Sequence, residues 1–369
     1  MSRLWPLFAL AACIPDAPTP PDPPDEWDQK LNDRVVDYSA ALRIAALRLT
    51  GELPTLAELE TVAAAPDAAS AYAAQLHTYM TGPRFARQMF RFWQDTLKLG
   101  EDPEFDSAAA FAAQVTVTGR PFTDVFTATT GTCATFDPAT SSFALNDCAN
   151  AVPVHAGLLT HPGVNRQFVS NFGFRRVRWV QETFACTAFP AEIAATATNV
   201  GGATPYTGTF PFDSIAGAAS GGRVDFRDTS AVVCANCHSN INHIAPLFAH
   251  FDSLGAYHTD IVATTPLPGN PVAVLTDYLP TGEPLAWRHG VTVTDMPSLG
   301  RAIAADPVAA SCAIARLWNW ALGKSDIVDG GNRVPADTTA AIVQRFTQSG
   351  ARVDDAIFAI LTSDDFVRF

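Results

Sequence analysis

The sequence is poor in positive charge and in sulfur. Lys and Arg number 24 against 37 Asp and Glu, giving a net charge of −13. The few basic residues are scattered, which excludes both a nucleic-acid groove and a polybasic membrane patch. No apolar run beyond residue 12 is long enough to cross a bilayer, and the run over residues 4–12 is itself far too short. Internal repeats are missing, and neither a catalytic triad nor a paired-carboxylate motif can be found. Seven Cys, eight His and four Met in 369 residues leave few positions for soft ligands. A single C-x-x-C occurs, so a four-cysteine zinc site is excluded.

What is present begins at the amino terminus. Arg3 precedes the short apolar run, which ends in Leu10-Ala11-Ala12-Cys13. This looks like a bacterial lipobox, cleaved before Cys13 and lipid-modified on that thiol; an ordinary signal peptide cut nearby is the alternative. Residues 1–12 are then a signal peptide, and the Pro- and Asp-rich residues 13–30 an extended tether. Export to an oxidising compartment suits the remaining cysteines. With Cys13, Cys234 and Cys237 set aside, Cys133, Cys148, Cys186 and Cys312 are free to form two disulfides. Cys133 with Cys148 would close a short Thr/Ser/Asp-rich loop and is the plainest choice; the pairing stays open at this point.

Helical periodicity dominates the rest. Apolar residues recur at helical spacing over residues 31–49, and Thr55 with Glu58 forms a capping box for the next helix. Gly82-Pro83 breaks a helix over 67–80 and starts an amphipathic one carrying Phe85, Met89, Phe92, Trp93 and Leu97. An Ala-rich helix ends near Val115, residues 119–171 are loop-rich, and residues 172–186 read as a helix. Its Arg175, Arg176 and Arg178 serve surface salt bridges or an anionic group. Residues 199–228, rich in Gly, Thr and Ser, form a connection. A turn and short helix are expected over 241–251, one small hairpin within 261–291, and helices over 298–305, 309–322, 338–347 and 353–361.

The chemically specific stretch is Cys234-Ala-Asn-Cys237-His238. Two thiols three residues apart can form thioethers to one haem, with the following His as iron ligand. The distal position falls to Met296, which stands outside any apolar stripe, whereas Met80 and Met89 belong to core helices. His258 is the alternative, with His243, His250 and His289 as further competitors. This predicts one covalent haem c held by Cys234, Cys237 and His238.

Residues 234–255 (CANCHSNINHIAPLFAHFDSLG) resemble the haem segment of certain exported bacterial cytochrome c-like proteins built from cytochrome-associated domains. Residues 47–54, 119–127, 156–162, 175–186, 312–325 and 357–366 are similar to further blocks of that family. The resemblance implies a haem-c protein of the cell envelope, and it favours pairing Cys186 with Cys312. The expected architecture is mostly α, with a helical scaffold domain (31–198) and a small cytochrome c-like haem domain (229–369) closed by C-terminal helices. The expected function is single-electron transfer by a monohaem lipoprotein, lipid-anchored in the bacterial cell envelope, with a redox partner protein and no nucleic acid. The alternatives are a peroxidase-like haem oxidoreductase with an open sixth position, or a lipid-anchored binding or structural protein stapled by haem.

Overall fold

The computed structural model describes residues 26–99, 102–187, 232–279, 282, 284–288, 291–325 and 334–369, without the side chains of 27, 28, 232–237, 239 and 240. The expected signal peptide, most of the tether, Cys13, the connection over 199–228 and His289 lie outside the described residues.

The protein is mostly α-helical, as its periodicity predicts. Helix α1 (Glu26–Asn32) is followed by α2 (Tyr38–Thr50), which starts where the Asp37 carboxylate accepts from the backbone N–H groups of Ser39 and Ala40. The helix expected over 31–49 is therefore split. The cause is tertiary: Val35 and Phe369 exchange both backbone hydrogen bonds, and Asp37 N–H donates to Val367 O. Helix α3 (Leu56–Ala63) opens on the expected Thr55–Glu58 capping box. Helices α4 (Ala68–Thr81) and α5 (Pro83–Leu97) meet at Gly82, with Pro83 in the first turn, where its missing N–H costs nothing.

Helix α6 (Asp106–Val117) buries Ala108 to Ala113 in an unbroken run and packs along α5. The short α7 (Asp124–Thr127) leads to an antiparallel hairpin of β1 (Thr135–Asp137) and β2 (Ser142–Ala144), with Phe136 opposite Phe143. Next come α8 (Pro162–Gln167), α9 (Phe174–Ala185) and α10 (Val232–Phe248). Helix α10 corrects the expected turn and short helix, since it runs through residues 234–238 and carries Pro246 near its end. The expected small hairpin pairs β3 (Ala286–Trp287) with β4 (Val291–Thr292). Helices α11 (Met296–Ala305), α12 (Pro307–Leu322), α13 (Ala336–Gln348), α14 (Val353–Leu361) and α15 (Asp364–Val367) end the chain.

One buried apolar cluster extends from Ala41 to Val367. Helix α12 packs on α2 and α9, and α14 on α6, so the last helices close the same core as the first. A cytochrome c-like haem domain is not evident among the described residues, and that part of the expected fold is corrected. Two disulfides, Cys133–Cys148 and Cys186–Cys312, are formed. The second ties the end of α9 to α12. No helix among the described residues is long and apolar enough to cross a membrane.

Arg176 on α9 is the polar hinge of this packing. It is 1% exposed. Its guanidinium donates to four carbonyls: Asn165 at 2.8 Å, Phe248 at 2.9 Å, Phe251 at 2.8 Å and Asp252 at 2.6 Å. Burial pulls its pKa down to about 10, and Asp252 and Tyr278 oppose that fall. The guanidinium thus satisfies the carbonyls at the end of α10 and in the turn beyond it, which water does not reach. Among the described residues, Arg178 alone of the three makes the expected surface ion pair, with Glu182 at 2.8 Å.

Candidate functional site

The segment 133–148 folds back on itself because the Cys133–Cys148 disulfide and two backbone contacts close its base. Cys133 N–H donates to Asn146 O at 2.9 Å, and Gly131 N–H to the Asp147 carboxylate at 2.6 Å. The hairpin docks on α5 through Phe136, stacked on Phe90 with ring centroids 4.7 Å apart, and through Arg87, which donates to Pro138 O at 2.7 Å. Between hairpin, α5 and the start of α6 lies a cavity of about 850 Å³.

Arg87 and Arg91, one helical turn apart on α5, share this cavity with Phe90, Gln94, Asp106 and Phe136. The Asp106 carboxylate already accepts from Gln94 Nε2 at 2.7 Å. Two guanidiniums and one engaged carboxylate line the cavity, with Asp95 on α5 near enough to Arg91 for their charges to interact. The aromatic wall of the cavity supplies an apolar contact surface beside these groups.

His161 and Ser107 form the inner end of the site, since Ser107 lines the cavity and His161 lies behind it. His161 is the N-cap of α8, where its Nδ1 accepts from Gly163 N–H at 3.0 Å. A side chain at residue 163 would crowd the ring: a Cβ there would lie 3.2 Å from the imidazole Cε1 and Nδ1, a tight contact to which the imidazole would have to give way. Because Nδ1 accepts, the proton of the neutral ring sits on Nε2. Nε2 faces Ser107 Oγ at 3.0 Å and Cys133 Sγ at 3.5 Å. Burial, with His155 adding to it, drives the His161 pKa down to about 3, so the ring is neutral at ordinary pH.

This tautomer decides the chemistry. Nε2 carries a proton and therefore does not accept one from Ser107, which excludes a serine–histidine nucleophile. Cys133, Cys148 and His161 lie close enough together to suggest a metal site. The two sulfurs are bonded to each other, however, and a metal on Nε2 would place a proton on Nδ1 against the Gly163 N–H. What remains is a hydrogen-bond donor aimed at one sulfur of a disulfide.

The residues singled out in the sequence lie elsewhere. Cys234 and Cys237 are within the backbone of α10, and their side chains lie outside the described residues. His238 is in the same helix, with Nδ1 hydrogen-bonded to Asn242 Oδ1 at 2.9 Å, and it packs edge-on against Phe174 at 5.4 Å. Burial lowers its pKa, and the Asn242 bond opposes the shift. Met296 is 5% exposed, part of the apolar core at the start of α11. His258 is bound to Asp252 at 3.0 Å on the surface, and His243 is buried within α10.

No family model, curated protein or solved structure matches the chain. The resemblance to exported cytochrome c-like proteins is therefore corrected, because blocks of a few residues between loosely matched helices do not extend to a relationship over the chain. The haem c cofactor and the electron-transfer function fall with it, as do the haem-based alternatives. The described residues show no haem pocket: His238 is hydrogen-bonded to Asn242 and packs against Phe174, Met296 lies in the apolar core and His258 is bound to Asp252. The cluster with metal-like spacing is at Cys133 and Cys148, whose sulfurs are joined in a disulfide and thus closed to thioether formation. Sequence reasoning missed His161, Arg87 and Arg91. The available signals were His-Pro-Gly at 161–163, which fits a helix start, and two Arg flanking Phe90 at a spacing of four.

Proposed function

We propose that this chain is a small-ligand binding protein of an oxidising, extracytoplasmic compartment, taking an anion with an apolar body into the cavity under the disulfide-closed hairpin. The observation that carries this reading is the pairing of Arg87 and Arg91 beside the Phe90–Phe136 stack in a cavity of about 850 Å³. That volume suits a ligand of drug-like size. Guanidiniums grip carboxylate, sulfonate or phosphate oxygens through paired N–H donors, while the aromatic wall takes the rest of the molecule. The two disulfides support the choice of compartment.

Fluorescence titration tests the reading with two probes of similar body and different charge: 8-anilinonaphthalene-1-sulfonate and the neutral N-phenyl-1-naphthylamine. The sulfonate binds the folded protein, and Arg91→Gln weakens it by about tenfold, the cost of one charged hydrogen bond. Arg91 is the cleaner position, because Arg87 also holds the hairpin. Binding of both probes without sensitivity to Arg91 removes the anion preference. Binding of neither removes the site.

A further inference from the structure

The two disulfides sit in opposite electrostatic surroundings. Beside Cys133–Cys148 are hydroxyl and N–H groups: His161 Nε2 is 3.5 Å from Cys133 Sγ, and Thr132 Oγ1 is 3.4 Å from Cys148 Sγ. Beside Cys186–Cys312 is an acceptor, the Thr183 carbonyl oxygen 3.5 Å from Cys312 Sγ. A bridged sulfur is a weak acceptor and gains little from a donor. A thiolate gains much more, and a thiolate facing a carbonyl oxygen is destabilised.

We propose that Cys133–Cys148 is an exchange-active disulfide, with Cys133 as the leaving thiolate received by the His161 Nε2–H, whereas Cys186–Cys312 is a fixed staple. The reductant is an external dithiol. One of its thiolates bonds to Cys148 Sγ as the Cys133–Cys148 bond breaks, and the electron pair leaves on Cys133. The second thiolate of the same reductant then displaces Cys148. The external dithiol becomes a disulfide, and the protein pair takes up two electrons. Of the two protons released, one ends on Cys148 and the other on Cys133 when the pH is below the pKa of that thiol.

Two features suit this assignment; exposure is not one of them, since each bridge joins a half-buried cysteine to a buried one. The donor is already in place, because the Gly163 N–H fixes the His161 tautomer before any reduction occurs. The Cys133–Asn146 and Gly131–Asp147 hydrogen bonds and the β1–β2 register hold both strands when the sulfur bridge is gone, keeping the pair aligned for reoxidation.

Ser107 gives the proposal a distinctive test, since it competes with Cys133 for the same proton. The folded, oxidised chain is equilibrated with graded ratios of reduced to oxidised dithiothreitol, then alkylated, and each cysteine is quantified by peptide mass. Cys133–Cys148 is half-reduced at a ratio about tenfold lower than Cys186–Cys312, the scale of one charge-assisted hydrogen bond. His161→Asn, which keeps an oxygen to cap α8 but shortens the donor, raises that ratio several-fold. Ser107→Ala, which frees the N–H for sulfur, lowers it. The pH profile of Cys133 alkylation in the reduced protein moves up with the first variant and down with the second. Reduction of both bridges together, or a midpoint indifferent to Ser107→Ala, overturns the proposal, and the Ser107 result stands even where His161→Asn does not fold.

Discussion

Cys186–Cys312 and Cys133–Cys148 are bonds of one kind that the fold uses differently. The first spans 126 residues and joins α9 to α12, two helices whose apolar faces already meet in the core. The second spans 15 residues and closes a short hairpin whose first strand packs on α6 and whose Phe136 and Pro138 meet α5. A long loop closed inside a core removes many unfolded conformations, whereas a short loop closed on a surface flap removes fewer. The difference teaches that the surroundings of a disulfide, rather than its presence, say whether it is a structural or a chemical group. One bridge has a carbonyl against its sulfur, the other an imidazole N–H.

The contrast is broken most directly by deleting each bridge in turn. Cys186→Ser with Cys312→Ser is expected to cost about 4–5 kcal/mol by loop entropy. Chemical denaturation should show the whole core losing that stability in one transition. The next largest effect falls on Arg176→Met, which leaves the carbonyls of Asn165, Phe248, Phe251 and Asp252 without their donor. The expected loss is about 3–5 kcal/mol, read as a lowered denaturation midpoint at unchanged slope. Arg176 is thus a noncovalent counterpart of the long disulfide, and a variant as stable as wild type would show those carbonyls reaching water. Cys133→Ser with Cys148→Ser should cost no more than about 3 kcal/mol. Hydrogen exchange should place that cost in residues 131–148, leaving α12 and α14 protected.

Much of the helical frame was legible in the sequence, because its signals are local. The Thr55–Glu58 capping box, the start of α5 at Pro83 and the limits of α14 each depend on residues within one or two turns. Where the frame was misread, a distant partner decided. Residues 34–37 leave the helix because the far end of the chain pairs with them, and α10 starts at Val232, well before the turn and short helix expected over 241–251. The β1–β2 hairpin was hidden in a polar stretch with three-residue strands, too short to show alternation. The candidate site was less legible still. His161 acquires its meaning from Cys133, 28 residues away, and Arg176 from carbonyls more than 70 residues away, and neither relation leaves a pattern in the sequence.

The smallest effect sharpens the comparison furthest, because it reads the imidazole that separates the two bridges. His161 has a pKa of about 3 in the folded protein against an ordinary value of 6.5. The unfolded chain therefore binds one more proton than the folded chain between those values. The stability His161 contributes is complete above about pH 6.5 and is lost as the pH falls toward about 3. Between pH 7 and pH 5 the loss is about 2 kcal/mol, at about 1.4 kcal/mol for each pH unit below 6.5. His238, also lowered by burial, adds a loss of the same sign, so the difference between wild type and His161→Asn isolates the residue. Denaturation at the two pH values should show the variant losing about 2 kcal/mol less than wild type.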